Sequence, residues 1–256
     1  MDVVKENNET LEDLGRDGLK LIQSKDGFRF GEDTVLLSWF VAENMRLRQN
    51  KGMRVLELGT NCGAASILLA GRRKDILLDG VERQEEAAVL FKRNIELNQL
   101  TDRVRGFHLD LRELHTEVLL QNTYDAVFMN PPFRKEGHGP MTKESSRALL
   151  ESRFALHGDI EDFLSCAYKM LAPSGDMFIV DRAETFAEVV SLCVKLHLAP
   201  KRIRFVHPRK DKEATLFLLQ AKKDGKLKGA VVEPPLILRK KSGEYTEELR
   251  KIYSEA

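Results

Sequence analysis

The rhythm of apolar and polar positions changes at Arg54. Beyond it, short apolar runs of strand length alternate with stretches whose apolar residues recur every three or four positions. Val55–Leu58, Ile76–Val81, Val104–Leu109 and Tyr124–Met129 predict four strands, and Asp176–Val180 a fifth. Ala64–Ala70 starts a helix, and Glu85–Asn98 predicts another with Ala88, Phe91, Ile95 and Leu97 on its apolar side. Ile160–Leu171 and Thr185–Leu198 predict two more helices. Such alternation implies an α/β fold, a parallel sheet with helices on both faces. Arg202–Val206 and Thr215–Lys222 add two strands joined through His207–Lys212, too short for a crossover helix, so that pair is antiparallel.

Upstream, Met1–Leu14 reads as a frayed, charged arm. Leu19–Gln23 and Phe28–Phe30 predict a hairpin around the turn Ser24-Lys25-Asp26-Gly27. Gly31-Glu32-Asp33-Thr34 opens a helix whose Val35, Leu36, Trp39, Phe40 and Met45 fall at core spacing. Downstream of the fourth strand, Arg134–Pro140 is a polar, glycine-rich loop and Ser145–Leu156 a weak helical stretch. The expected organisation is an arm, hairpin and helix over 1–50, a core over 51–222, and a basic extension over 223–256 with a helical end from Thr246, all one domain.

Composition narrows the class. Charged residues are 32% and hydrophobic ones 42%, which is globular, and the net charge of +1 leaves any basic surface local. No basic leader or membrane-length apolar stretch occurs, so a cytosolic chain without a membrane partner is expected. Cys62, Cys166 and Cys193 are widely spaced, and the six histidines form no ligand pattern, so buried free thiols and no metal are expected. A monomer or weak homodimer is the expected state.

The candidate chemistry lies at strand ends, where open parallel sheets bind ligands. Glu57 leads into Gly59-Thr60-Asn61-Cys62-Gly63, Glu82 ends the second strand, Asp110 follows the third and Asn130 the fourth. An acidic residue about twenty positions after such a loop reaches ribose hydroxyls in nucleotide-binding units. Glu57 before the first glycine would repel a diphosphate but suits a cationic cofactor, and S-adenosylmethionine carries an ammonium, a sulfonium, a ribose and an adenine. Asn130-Pro131-Pro132-Phe133 is a hook: the prolines lack N–H donors and fix φ, Asn130 adds an amide, and Phe133 a flat face.

The order Glu57-Leu-Gly59-Thr-Asn61-Cys-Gly63, Glu82, Asp110, Asn130-Pro-Pro-Phe133 resembles the class I S-adenosylmethionine-dependent methyltransferases of exocyclic amines. Leu19–Gln23, Asp26–Asp33, Val35-Leu36-Leu37, Pro235–Leu238 and Gly243–Thr246 are similar to the bacterial tRNA(Val) adenine-N6 methyltransferase family in particular. The resemblance covers nearly the whole chain. It implies a Rossmann-like class I methyltransferase fold, with a mostly parallel seven-stranded sheet and an antiparallel last strand. It also implies transfer to adenine N6 in a tRNA anticodon loop. Asn130, Pro131, Pro132 and Phe133 would be catalytic: the Asn130 oxygen and Pro131 carbonyl would accept from N6, and Phe133 would stack on the base. S-adenosyl-L-methionine would be held by Phe28, Arg29, Phe30, Gly31, Asp33, Glu57, Gly59, Thr60, Asn61, Gly63, Glu82, Arg83, Asp110, Leu111 and Asn130. Arg134, Lys135, His138, Arg202, Arg204, Arg209, Lys210 and Lys212 would face RNA, while a solvated charged surface is the plain alternative.

One position departs from the family: Asn61 stands where glycine is usual. Asn tolerates left-handed φ, and its side chain would then crowd or hydrogen-bond the cofactor. A glutamine-N5 release-factor methyltransferase needs the same hook, but those enzymes resemble Asn-Pro-Pro-Tyr and carry a helical N-terminal domain. A DNA or ribosomal-RNA amino-methylase, and a non-catalytic RNA-binding relative with a spoiled loop, are the other rivals. The intact Glu57, Glu82, Asp110 and Asn130 speak against the last.

Overall fold

A computed structural model of the chain describes residues 5–25, 29–45, 52–114, 119, 121–132 and 159–254. In chain order the elements are β1 (Glu9–Asp13), β2 (Lys20–Ser24), α1 (Glu32–Asn44), β3 (Met53–Leu58), α2 (Ala64–Arg72) and β4 (Ile76–Glu82). They continue with α3 (Glu85–Leu97), β5 (Val104–His108), β6 (Tyr124–Met129), α4 (Ile160–Met170), β7 (Leu171–Arg182) and α5 (Phe186–Lys195). The chain closes with β8 (Leu198–Arg209), β9 (Leu216–Lys223), β10 (Val231–Val232), β11 (Leu236–Arg239) and α6 (Glu247–Ser254).

Seven strands run side by side in the order β5-β4-β3-β6-β7-β9-β8. All neighbours are parallel from β5 to β7, and β9 is antiparallel to both β7 and β8. This is the Rossmann-like arrangement with one reversed strand that the sequence implied. The central strands are buried on both faces, as expected where helices cover a parallel sheet. Alternate residues serve opposite layers. Phe128 and Phe178 join Phe40 and Phe91 in one core, while Val127, Met129 and Met177 join Phe163 and Phe217 in the other.

The carboxyl ends of β3, β4, β5 and β6 share one edge, so the loops that follow them converge. The α4 helix starts on a reciprocal cap in which Asp159 Oδ1 accepts from the Asp162 backbone N–H and Asp162 Oδ2 from that of Asp159.

Two sequence expectations are corrected. The hairpin partner of β2 is β1, antiparallel from Glu9↔Ser24 to Asp13↔Lys20; of the expected partner, Arg29 and Phe30 form no strand and Phe28 lies outside the described residues. The arm is therefore ordered there: Glu9 is buried and ion-paired to Arg93 at 2.5 Å, a match no local period reveals. The C-terminal segment also does more than extend. Its β10 and β11 both join β8 in parallel, making a nine-stranded sheet, and α6 buries Leu249 and Ile252 in the core. All three cysteines are free and buried, as expected. The Ser145–Leu156 stretch lies outside the described residues.

Candidate active site

The loop after β3 turns twice through left-handed backbone, at Gly59 (φ 71°) and Gly63 (φ 86°). Gly63 is doubly constrained, because a Cβ there would lie 1.9 Å from the Phe91 ring of α3. The backbone N–H groups of Gly59 and Thr60 donate to the Val81 carbonyl at 2.9 and 3.1 Å, tying the loop to β4. Asn61 takes the third left-handed position, with φ 50°. Its side-chain oxygen accepts from the Cys62 N–H at 2.6 Å, so that oxygen is used within the loop. The turn that glycine usually makes survives.

Glu82 closes the loop from the neighbouring strand. One carboxylate oxygen accepts from the Asn61 N–H and the other from the Gln84 N–H, both at 2.8 Å. Glu57 sits deeper, 2% exposed, and accepts a bond from the Ser66 hydroxyl of α2. Burial pushes its carboxyl up to about 8, against the opposing effect of the Ser66 bonds, and the Glu82 charge adds to the rise. Asp110 is held in the opposite sense. The Arg112 side chain grips its carboxylate at 2.6 Å and Arg83 adds an ion pair at 3.2 Å, keeping the carboxyl below its ordinary range against partial burial.

Asn130 stands at the end of β6. Its Nδ2 donates to Asp33 Oδ2 of α1 at 3.1 Å. Its Oδ1 is buried and has no hydrogen-bond partner among the described residues. A buried acceptor without a donor is costly, and such a group at a strand end beside a cavity marks a place for a ligand donor.

These groups surround a cavity of about 720 Å³. Of the predicted site residues, Arg29, Phe30, Glu57, Gly59, Thr60, Asn61, Glu82, Arg83, Asp110, Leu111, Asn130, Pro131 and Pro132 line it. Gly31, Asp33 and Gly63 do not: Gly31 precedes the first turn of α1, Asp33 bonds Asn130, and Gly63 packs on Phe91. The exposed Arg29 guanidinium turns to Glu12 of β1 at 2.6 Å. Phe28, Phe133, Arg134, Lys135 and His138 lie outside the described residues.

Sequence reasoning missed three contributors. Phe163 of α4 reaches the cavity beside Gly59, yet in the sequence it is one more apolar residue on a core-facing helix. Thr34 lines the wall one position after Asp33. Asn94 of α3 is fully buried and binds the backbone of Ile22 in both directions, at 2.7 and 2.8 Å, and the Cys62 carbonyl at 2.9 Å. It thereby pins the loop to β2. An amide at i and i+4, Asn94 and Asn98, on an otherwise apolar helix face was the available signal, since Asn98 bonds Lys20 in the same two-way manner.

The basic set divides. Arg204 is buried, donates to the Pro234 carbonyl at 3.1 Å and to Glu248, and lies 5.4 Å over the Trp39 ring. Arg202 is ion-paired to Glu233. Both hold the C-terminal segment to β8. Arg209 ends β8, and the exposed Lys210 and Lys212 follow it at the same edge of the sheet as the cavity.

A strand order of this kind, with acidic groups and an amide at successive strand ends, defines a class I methyltransferase. The solved structures agree in fold. A predicted O-methyltransferase from Agrobacterium tumefaciens aligns over 86% of this chain and 95% of its own at 20% identity, with a TM-score of 0.66. The M. jannaschii protein TYW2 in complex with AdoMet aligns over 86% and 87% at 15% identity, with a TM-score of 0.56. The chain belongs to the methyltransferase small domain family, whose model matches residues 36–194. It is an enzyme of that family. Among curated proteins it is 28% identical to a tRNA1(Val) (adenine(37)-N6)-methyltransferase from Dyadobacter fermentans, over 74% of this chain and 76% of the relative. A protein of the same name from Flavobacterium psychrophilum is 26% identical over 77% and 80%.

Proposed function

We propose that this enzyme methylates the exocyclic N6 amine of an adenine in the anticodon loop of a tRNA, with valine tRNA the species its relatives suggest. The observation that carries the reading is the buried Asn130 oxygen beside the cavity, which has no hydrogen-bond partner among the described residues. The donor set fits S-adenosylmethionine: carboxylates at Glu57, Glu82 and Asp110 suit an ammonium, ribose hydroxyls and an adenine amine respectively, and Leu111 adds a backbone contact. When bound, S-adenosylmethionine supplies an electrophilic methyl group on a sulfonium.

The chain's own residues do the rest by positioning. Asn130 Oδ1 and the Pro131 carbonyl accept the two N6 hydrogens, which draws the amine lone pair out of the ring and aims it. Phe133, outside the described residues, would stack on the base, as the resemblance implies. No covalent enzyme intermediate is required. A base in a loop is extruded at little cost, and the exposed Lys210 and Lys212 beyond β8 would provide phosphate contacts.

The test offers labelled S-adenosylmethionine with unmodified total tRNA, ribosomal RNA, DNA and release factor. Labelled tRNA carrying N6-methyladenine is expected, and label in release factor alone would overturn the reading. Asn130→Ala is expected to cut transfer by about a hundredfold or more while cofactor affinity stays within about threefold. Equal losses in both would remove the role given to Asn130.

A further inference from the structure

We infer that Asp33 is a positioning residue for Asn130, setting which way its amide faces. The inference rests on the methyltransfer reading of the site and adds a residue from a different element, 97 positions away in sequence. An ionised carboxylate only accepts hydrogen bonds. Asp33 Oδ2 at 3.1 Å from Asn130 Nδ2 therefore fixes the nitrogen on its own side and leaves Oδ1 as the group turned elsewhere, buried and without a partner among the described residues. The flipped amide would set oxygen against oxygen at Asp33 and present a donor where the substrate amine needs an acceptor.

Asp33 is itself held. Its Oδ1 accepts from the Thr34 backbone N–H at 2.8 Å, and it sits in the first turn of α1. The adjacent Glu32 is ion-paired at 2.9 Å to Arg239 of β11, whose guanidinium lies 4.5 Å over the Tyr245 ring. The C-terminal segment thus braces the helix end that orients the amide. Since Asp33 does not line the cavity, its effect on a reacting amine passes through Asn130.

Asp33→Asn replaces a pure acceptor by a group that can donate or accept, so both amide orientations become accessible. Its single-turnover methylation rate is expected to fall about tenfold or more, with the Kd for S-adenosylmethionine and the KM for RNA changed less than about threefold. Asp33→Glu keeps the acceptor and is expected to recover at least half of that loss on a logarithmic scale. Thermal unfolding of each variant is followed alongside, and midpoints within a few degrees of the wild type are expected. Full activity in Asp33→Asn, a loss of cofactor affinity equal to the loss of rate, or no recovery in Asp33→Glu would each overturn the inference. The ratios are measured on whichever amine substrate the wild type labels, so a substrate other than tRNA defeats the proposed function alone. A wild type that labels none defeats both.

Discussion

Replacing Glu57 by glutamine should flatten the pH dependence of stability in a calculable way. Glu57 is 2% exposed, and burial raises its carboxyl from 4.5 to about 8. Between those values the folded chain binds a proton that the unfolded chain has released. Stability from this group is therefore complete below about pH 4.5 and is lost as pH rises through 8. At about 1.4 kcal/mol per pH unit, the full loss is on the order of 5 kcal/mol. Glutamine has the same shape and can still accept from the Ser66 hydroxyl, but it does not titrate. Urea unfolding at pH 5, 6, 7 and 8.5 should show the two proteins nearly equal at pH 5. At pH 8.5 the variant should be more stable by several kcal/mol, on the order of the loss above. Groups that do not couple to Glu57 cancel in the difference between the two proteins. Parallel curves, or a wild type that gains on the variant as pH rises, would refute the reasoning. A cationic ligand beside Glu57 favours its charged form, so cofactor binding near pH 7 should release protons from the wild type and fewer from the variant.

Four further outcomes are expected. Asn94→Leu leaves the Ile22 N–H, the Ile22 carbonyl and the Cys62 carbonyl without partners, and chemical denaturation should show a loss exceeding about 3 kcal/mol. Asn61→Gly exchanges the bond to the Cys62 N–H for freedom at φ 50°, so stability should change by less than about 1 kcal/mol and activity should persist; collapse of activity would show a required amide contact. Arg204→Ala should lower the unfolding midpoint by several degrees, since it strips the buried anchor of the C-terminal segment, whereas Lys210→Ala with Lys212→Ala should weaken RNA binding and reduce its salt dependence without changing that midpoint.

Much of the site was legible because its residues fall at the ends of strands whose apolar runs are unmistakable. Glu82, Asp110 and Asn130 each follow such a run and Glu57 stands one residue before the end of another, and strand ends in a parallel sheet share an edge by topology. The roles of Asp33, Asn94 and Phe163 were not legible in this way. Each lies on a helix, where nothing local says which side chain turns toward a loop far away in sequence. The basic residues teach the same lesson from the other side. Arg204 and Lys210 look alike along the chain, and only the packing of β10, β11 and α6 against β8 buries one and leaves the other in solvent.

By itself, then, the sequence determined the apolar strand runs and helical periods of the core, their succession along the chain and the residues at their tips, because these follow directly from the local pattern of apolar positions. The tertiary structure decided which strand pairs with β2, where the C-terminal segment docks and which way the Asn130 amide turns. Those outcomes depend on hydrogen bonds and ion pairs between residues far apart in the chain, such as Asp33 with Asn130 and Glu9 with Arg93, and no local pattern encodes such pairings.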